Sequence, residues 1–288
     1  MPEQIHDAAY YGLSQESFDL VQNMRIIDDI FMNKCLEDIP CVETILQVIL
    51  DKPDLKVISS KTQEKLTFWG RSVCFDVYAV DDAGKQYDIE IQRSNDGANI
   101  KRARYHSAMI DVNSLQANEN FKELHDNYVI FITEHDVFKK NLPLYTIHRH
   151  IDETNEPVND GTHIIYVNGA LRNDKTPIGK LMSDFFARSA SKMFYNALRE
   201  RAGFLKSDKW EVKELASFSE QLVQKGRAEG IAEGITQGIT QGIAQGVLDV
   251  ATKLIKSGKM TLNEIAEATG LTITKLQDTS KSLKLERG

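Results

Sequence analysis

Between Phe75 and Arg93 the chain reads FDVYAVDDAGKQYDIEIQR, two alternating runs broken by a turn signal. The period of two and the glycine in the connection predict a β-hairpin. Its constraint lies in three polar residues. Asp76, Glu90 and Gln92 stand where a ribbon inside a β-rich core should carry apolar or neutral side chains. A three-residue loop, Asp82-Ala83-Gly84, gives Gly84 the left-handed position such loops need. Pairing then sets Asp81 against Lys85, Tyr78 against Asp88 and Asp76 against Glu90. A two-residue loop instead sets Asp76 opposite Ile91 and turns Glu90 to the other face, because one slip inverts a strand. In the three-residue register the two carboxylates lie within about 5 Å, which is destabilising unless something neutralises them. A hard divalent cation does so economically. Two carboxylates, a neighbouring backbone carbonyl and waters suit Mg2+, and equally Mn2+.

The rest of the chain supplies a setting for such a hairpin. Residues 14–36 show apolar positions at three and four spacing behind Ser14, a helix signal. Val42 to Leu50 predicts a second helix, ended by Asp51-Lys-Pro-Asp54. Leu55–Ile58 opens a sheet, and the polar run 59–70 reads as a connector to the hairpin. Ile100–Ile110 is helical, and Tyr128–Thr133 is an unbroken apolar strand. Leu144–Ile151 and His163–Asn168 are further strands, and Pro177 opens a helical region to about Leu205. This order predicts an α/β class with a mixed central sheet flanked by helices.

After it comes GRAEGIAEGITQGITQGIAQG, with Gly at 226, 230, 234, 238, 242 and 246 and an Ile or Val one residue behind each from 231 on. On a helix a period of four drifts by about 40° per step, so Gly and Ile form adjacent, slowly winding stripes. Each glycine costs roughly 1 kcal/mol against alanine, so the segment reads either as an oligomerisation helix or as a partly frayed linker. The tail, MTLNEIAEATGLTITKLQDTSKSL, predicts two short helices split at Gly270, with Thr261 and Thr272 as caps. Its packing residues meet a helix-turn-helix pattern only loosely, so a plain helical hairpin is the expectation. The domains expected are 1–210, 211–250 and 251–288, the last two an all-helical extension.

The net charge of −7 argues against a protein that coats nucleic acid by bulk electrostatics, but not against local engagement. From Lys253 on, seven Lys or Arg stand against four acids, so the tail carries +3 and the rest −10. No run is long enough to span a bilayer, no basic-then-apolar leader opens the chain, and Cys35, Cys41 and Cys74 lack metal-type spacing. A cytoplasmic protein with free thiols and no membrane partner is expected.

Asp76, thirteen residues, then Glu90-Ile91-Gln92 on the next strand resembles the PD-(D/E)XK nuclease superfamily. Within it, MRIIDDIFMNKC, GRSVCFDVYAVDDAGKQYDIEIQR, KRARYHSAMID, VIFITEHDVF and HIIYVNGA are similar to the PD-(D/E)XK nuclease family transposases, relatives of the recombination-promoting nucleases. The resemblance covers roughly residues 20–205 and implies a restriction-endonuclease-like fold. It implies that Asp76 and Glu90 ligate Mg2+, that the carbonyl of Ile91 completes the protein's share, and that Gln92 holds the usual lysine position. Glu43 is its candidate for the upstream acid such folds place beside the metal. Phe75 replaces the proline of the motif name. Gln92 is the serious departure: it can orient water but brings no charge to the transition state.

Beyond the hairpin, Arg93, Lys101, Arg102 and Arg104 make a basic segment, and Lys101, Arg104 and Tyr105 share one side of their helix. They read as a phosphate clamp for DNA or as a solvated face. His148 and His150 share a strand face without an evident third ligand, and Asp136 reads as a turn residue. Together these features predict a Mg2+-dependent DNA endonuclease of mobile elements or recombination, self-associating through residues 226–257. The alternatives are a catalytically weak accessory DNA-binding protein and an interaction protein acting through the C-terminal helix.

Overall fold

A computed structural model describes residues 6–67 and 70–285. The chain divides into two compact units, Met1–Glu220 and Gln221–Gly288.

The first unit opens with α1 (Ala8–Tyr11), α2 (Gln15–Asn23), α3 (Asp29–Leu36) and α4 (Ile39–Leu50). Ser14 caps α2 by accepting the Ser17 N–H, as its position suggested. The expected single helix over 14–36 is broken at Met24–Asp28. There Ile26 and Ile27 are both buried, and the Ile27 N–H donates to the Phe185 carbonyl. An N–H bonded to another segment is lost to the i→i−4 ladder, so the helix does not continue through Ile27.

The sheet follows: β1 (Val57–Leu66), β2 (Val73–Asp81) and β3 (Gln86–Gln92), then α5 (Ile100–Ser114), β4 (Asn127–Thr133) and β5 (Leu144–Ile147). A small hairpin, β6 (Arg149–Ile151) with β7 (Glu156–Val158), precedes β8 (Thr162–Asn168), α6 (Pro177–Phe186) and α7 (Asn196–Ser207). The six-stranded order is β1-β2-β3-β4-β8-β5. β1, β2 and β3 are antiparallel, β3, β4 and β8 parallel, and β5 returns antiparallel. The polar run expected as a connector is thus largely edge strand β1, whose outer side needs no apolar partner. Leu144–Ile151 is two strands in different sheets, not one.

Helices cover both faces. Val77, Ala79, Ile89, Ile91, Ile130 and Ile132 pack under the helical layer that includes α3, α4, α6 and α7. Val129, Phe131 and Phe75 pack under α5. This mixed sheet between helical layers is consistent with the restriction-endonuclease-like fold expected.

A single helix, α8 (Lys209–Ser257), runs through all six repeat glycines. The second unit is completed by α9 (Leu262–Thr269) and α10 (Ile273–Leu285). Among the described residues no helix is long and apolar enough to cross a membrane.

Candidate active site

Gly84 takes φ +78°, the Asp81 N–H donates to Lys85, and Tyr78 stands opposite Asp88. The three-residue turn therefore sets the register that places Asp76 against Glu90. The Asp81 carboxylate locks the turn by accepting from the Ala83 and Lys85 N–H groups and the Tyr87 hydroxyl.

Beyond Val77 the main-chain ladder stops and side chains take it over. The Ile91 N–H donates to Asp76 Oδ2 at 2.9 Å, and the Asp76 N–H donates to Glu90 Oε1 at 3.1 Å. Here β2 also changes face: Phe75 packs with the α5 layer beside Tyr78, whereas Val77 and Ala79 face the opposite core. On β1 the residue facing Asp76 is Gln63, bracketed by Thr62 opposite Val77 and Glu64 opposite Phe75. Gln63 holds φ +54°, a left-handed backbone costing a non-glycine residue roughly 1 kcal/mol or more. Its amide donates to Asn33 Oδ1 at 3.2 Å and reaches Asp76 Oδ1 at 3.5 Å.

Under α5 a chain of hydrogen bonds organises Glu90. Arg102 Nη2 donates to Glu90 Oε2, and Arg102 Nε donates to His106 Nε2 at 3.2 Å. Because a guanidinium can only donate, His106 Nε2 accepts, and its proton sits on Nδ1. That proton is donated to Asp88 Oδ2 at 2.7 Å. Asp88 and Glu90 are fully buried and His106 is buried. Burial, then the neighbouring Asp88 and Asp76 charges, push Glu90 up to about 9. Burial raises Asp88 well above the carboxylate range and lowers His106. Burial also raises Asp76, outweighing the Ile91 hydrogen bond and the Arg102 charge, and Asp29 at the start of α3 adds to the rise.

Gln92 lies against this group, its Nε2 at 3.5 Å from Glu90 Oε2. A Cβ at residue 97 would stand 1.9 Å from Gln92 Oε1, so Gly97 makes the space the amide occupies. Lys101, Arg104 and Tyr105 line a cleft of ≈ 790 Å³ with Arg71, Arg102 and His106. Four of its lining residues are cations and none is acidic. Tyr105 closes one side by donating its hydroxyl to the Arg71 carbonyl.

Three expectations change. Glu43 is not at this site: its carboxylate accepts from Lys56 and the Val57 N–H, and Val57 stands opposite Asp81. That is the other end of β2, roughly 17 Å from Asp76 at ~3.4 Å per residue. Helix periodicity gives the face of α4 but not the end of the sheet it meets. Arg93 is tied to Asp28 and Glu134 at 3.3 and 3.0 Å, away from the cleft lining. His148 falls between β5 and β6, and among the described residues it joins no group able to hold a metal. Asp136 is a turn residue as expected, accepting from the N–H groups of Phe138, Lys139 and Asn141. Asp88, Arg102 and His106 were missed as a set. Their signal was present, since Asp88 shares the face of Glu90 at a spacing of two and Arg102 that of His106 at four.

Residues 37–176 match the model of the PD-(D/E)XK nuclease family transposases. The matched stretch contains the whole hairpin and α5. Comparison with curated proteins and with solved structures gives no match. Asp76, Glu90 and Gln92, read from the sequence as the D, (D/E) and K positions, all lie within it.

Nucleases of this kind use divalent metals, and the residues present fit one. Among the described residues Asp76 Oδ1 has no hydrogen-bond donor nearer than the Gln63 amide, and buried Asp88 Oδ1 has no partner. Asp88, Glu90 and His106 offer ligand atoms within 4.8 Å of one another. Such crowded, desolvated carboxylates are the donor chemistry of a hard cation.

Proposed function

We propose that the protein is a metal-dependent DNA endonuclease in which Asp76 and Glu90 hold Mg2+, with Mn2+ able to replace it, and the Ile91 carbonyl completes the set. The observation that carries this reading is the Asp76–Glu90 pair, joined reciprocally to the hairpin main chain and set beside a cleft lined by cations without an acid. A bound divalent ion supplies Lewis acidity at the phosphodiester and lowers the pKa of an attacking water. Gln92 orients that water through its amide. The charge a lysine would bring at that position comes instead from Arg102, whose guanidinium already lies on Glu90. Lys101, Arg104 and Tyr105 seat the flanking phosphates.

The same reading includes self-association through residues 226–257, since double-strand cleavage with one site per chain calls for a second copy. Ile231, Ile235, Ile239 and Ile243 are exposed, and the repeat glycines have no described atom near the position of an added Cβ, which suits close helix approach.

The test is nicking of supercoiled plasmid in Mg2+ by the purified protein, abolished in Asp76→Ala. A second reading, an accessory DNA-binding protein of a mobile element, is favoured by one feature: both Glu90 oxygens already have donors, from the Asp76 N–H and from Arg102. Binding of plasmid without cleavage in either Mg2+ or Mn2+ selects that reading.

A further inference from the structure

The second unit has its own small core. Ala251, Ile265 and Leu276 are fully buried, one each from α8, α9 and α10, with Leu254, Ile255 and Leu271 packed around them. Thr261 and Glu264 form a reciprocal capping box at the start of α9, and Gly270 ends it at φ +71°. Only Gly270, Leu271 and Thr272 separate α9 from α10. A three-residue connection containing glycine, with both helices packed on a third, fits a helix-turn-helix. Ala266, whose carbonyl accepts the Gly270 N–H, also packs on the core, and its small side chain lets the helices approach closely. The plain hairpin expected from the sequence lacks what the structure adds, a third helix against which both others pack.

Thr272, Ile273, Thr274, Lys275, Gln277 and Lys281 of the second helix and its cap are exposed. Lysine and glutamine are side chains that hydrogen-bond base edges, and threonine or an apolar group meets a thymine methyl. The only acid in α10 is Asp278. Lys253, Lys256 and Lys259, also exposed, surround the end of α8, and the chain from Lys253 on carries +3 within a protein of −7.

We propose that residues 251–282 are a helix-turn-helix DNA-binding module, in which the first turns of α10 enter the major groove of duplex DNA and the lysines at the end of α8 meet its phosphates. This binding surface shares no residue with the cleft of the first unit, and the proposal stands whether or not that cleft cuts. A recognition helix reads sequence with its N-terminal residues, so Lys275 and Gln277 carry the specificity.

The test uses the full chain carrying Asp76→Ala, in EDTA, so that neither cleavage nor metal enters. Random-sequence duplexes are selected for binding, and the selected and a scrambled duplex are then titrated by fluorescence anisotropy. A defined motif is expected. The double variant Lys275→Ala, Gln277→Ala should weaken binding to that motif by about tenfold or more and lose the preference, with unchanged circular dichroism. The double variant Lys256→Ala, Lys259→Ala should weaken both duplexes alike and lower the salt slope by about 2. No enriched motif, or an α10 variant that binds the motif as tightly as the parent, overturns the proposal. So does an α10 variant that changes only the sedimentation of the protein, which would make this face a contact between copies. Plasmid nicking, read separately, reports on the nuclease reading alone.

Discussion

Asp76 and Glu90 hold each other through the main chain: Glu90 accepts the N–H of Asp76, and Asp76 accepts the N–H of the residue after Glu90. The hairpin thus ends in two carboxylates that substitute for ladder bonds. Each keeps its place only while the register fixed by the turn at Gly84 holds.

Burying these acids makes stability and metal binding depend on pH. Glu90 moves from 4.5 to about 9, so between those values the folded protein holds a proton that the unfolded chain has released. Metal-free stability contributed by this group is therefore greatest at low pH and falls as pH rises toward 9. In EDTA, the melting temperature of Glu90→Gln should gain on the parent steadily from pH 5 to pH 9. Binding of Mn2+ should release protons at neutral pH and tighten with rising pH. Calorimetry in buffers of different ionisation enthalpy reads this directly, and a pH-independent affinity would contradict it.

Gly97 gives the Gln92 amide its room, since a Cβ there would meet Gln92 Oε1 at 1.9 Å. The clash falls on the end of a flexible side chain, so Gly97→Ala should fold with a melting point within about 3 °C of the parent. Cleavage should drop on the order of 100-fold, as when a positioning group is displaced by about 1 Å. Adding Gln92→Ala should cost little more, because both changes remove the same amide.

In the proposed reading Arg102, whose guanidinium lies on Glu90, supplies the charge that Gln92 cannot. Arg102→Gln should lose most of the cleavage rate, and Arg102→Lys should keep more of it. In the Arg102→Gln background, Gln92→Lys should recover activity by returning a cation to the site. Failure of that rescue, with folding intact, would show that Arg102 serves only as the structural partner of Glu90.

Glu43 belongs to the start of β1, where it accepts from the Val57 N–H. Glu43→Ala should lower stability by about 1 kcal/mol and leave plasmid cleavage unchanged.

The sequence made the hairpin legible and narrowed it to two registers, of which the structure takes the one with Gly84 left-handed in a three-residue loop. Unbroken apolar content showed β4, as it did β8 between its Gly and Asn bounds. It could not show β1, an edge strand whose residues 59–66 are mostly polar because one side faces solvent. Nor could it place Glu43, since the end of the sheet a helix meets depends on the loop between them. The group of Asp88, Arg102 and His106 was hidden for a different reason. It joins a strand to a helix that follows it, and only packing shows that Phe75 and Phe131 wall His106 into contact with Asp88.

Anomalous diffraction from crystals grown or soaked in Mn2+ decides whether the hairpin carboxylates hold the ion. An anomalous peak is expected, bonded to carboxylate oxygens of both Asp76 and Glu90 and to the Ile91 carbonyl, and absent from crystals of Asp76→Ala. A peak on Asp88, Glu90 and His106 that ignores Asp76, or no peak on the hairpin at all, would contradict it.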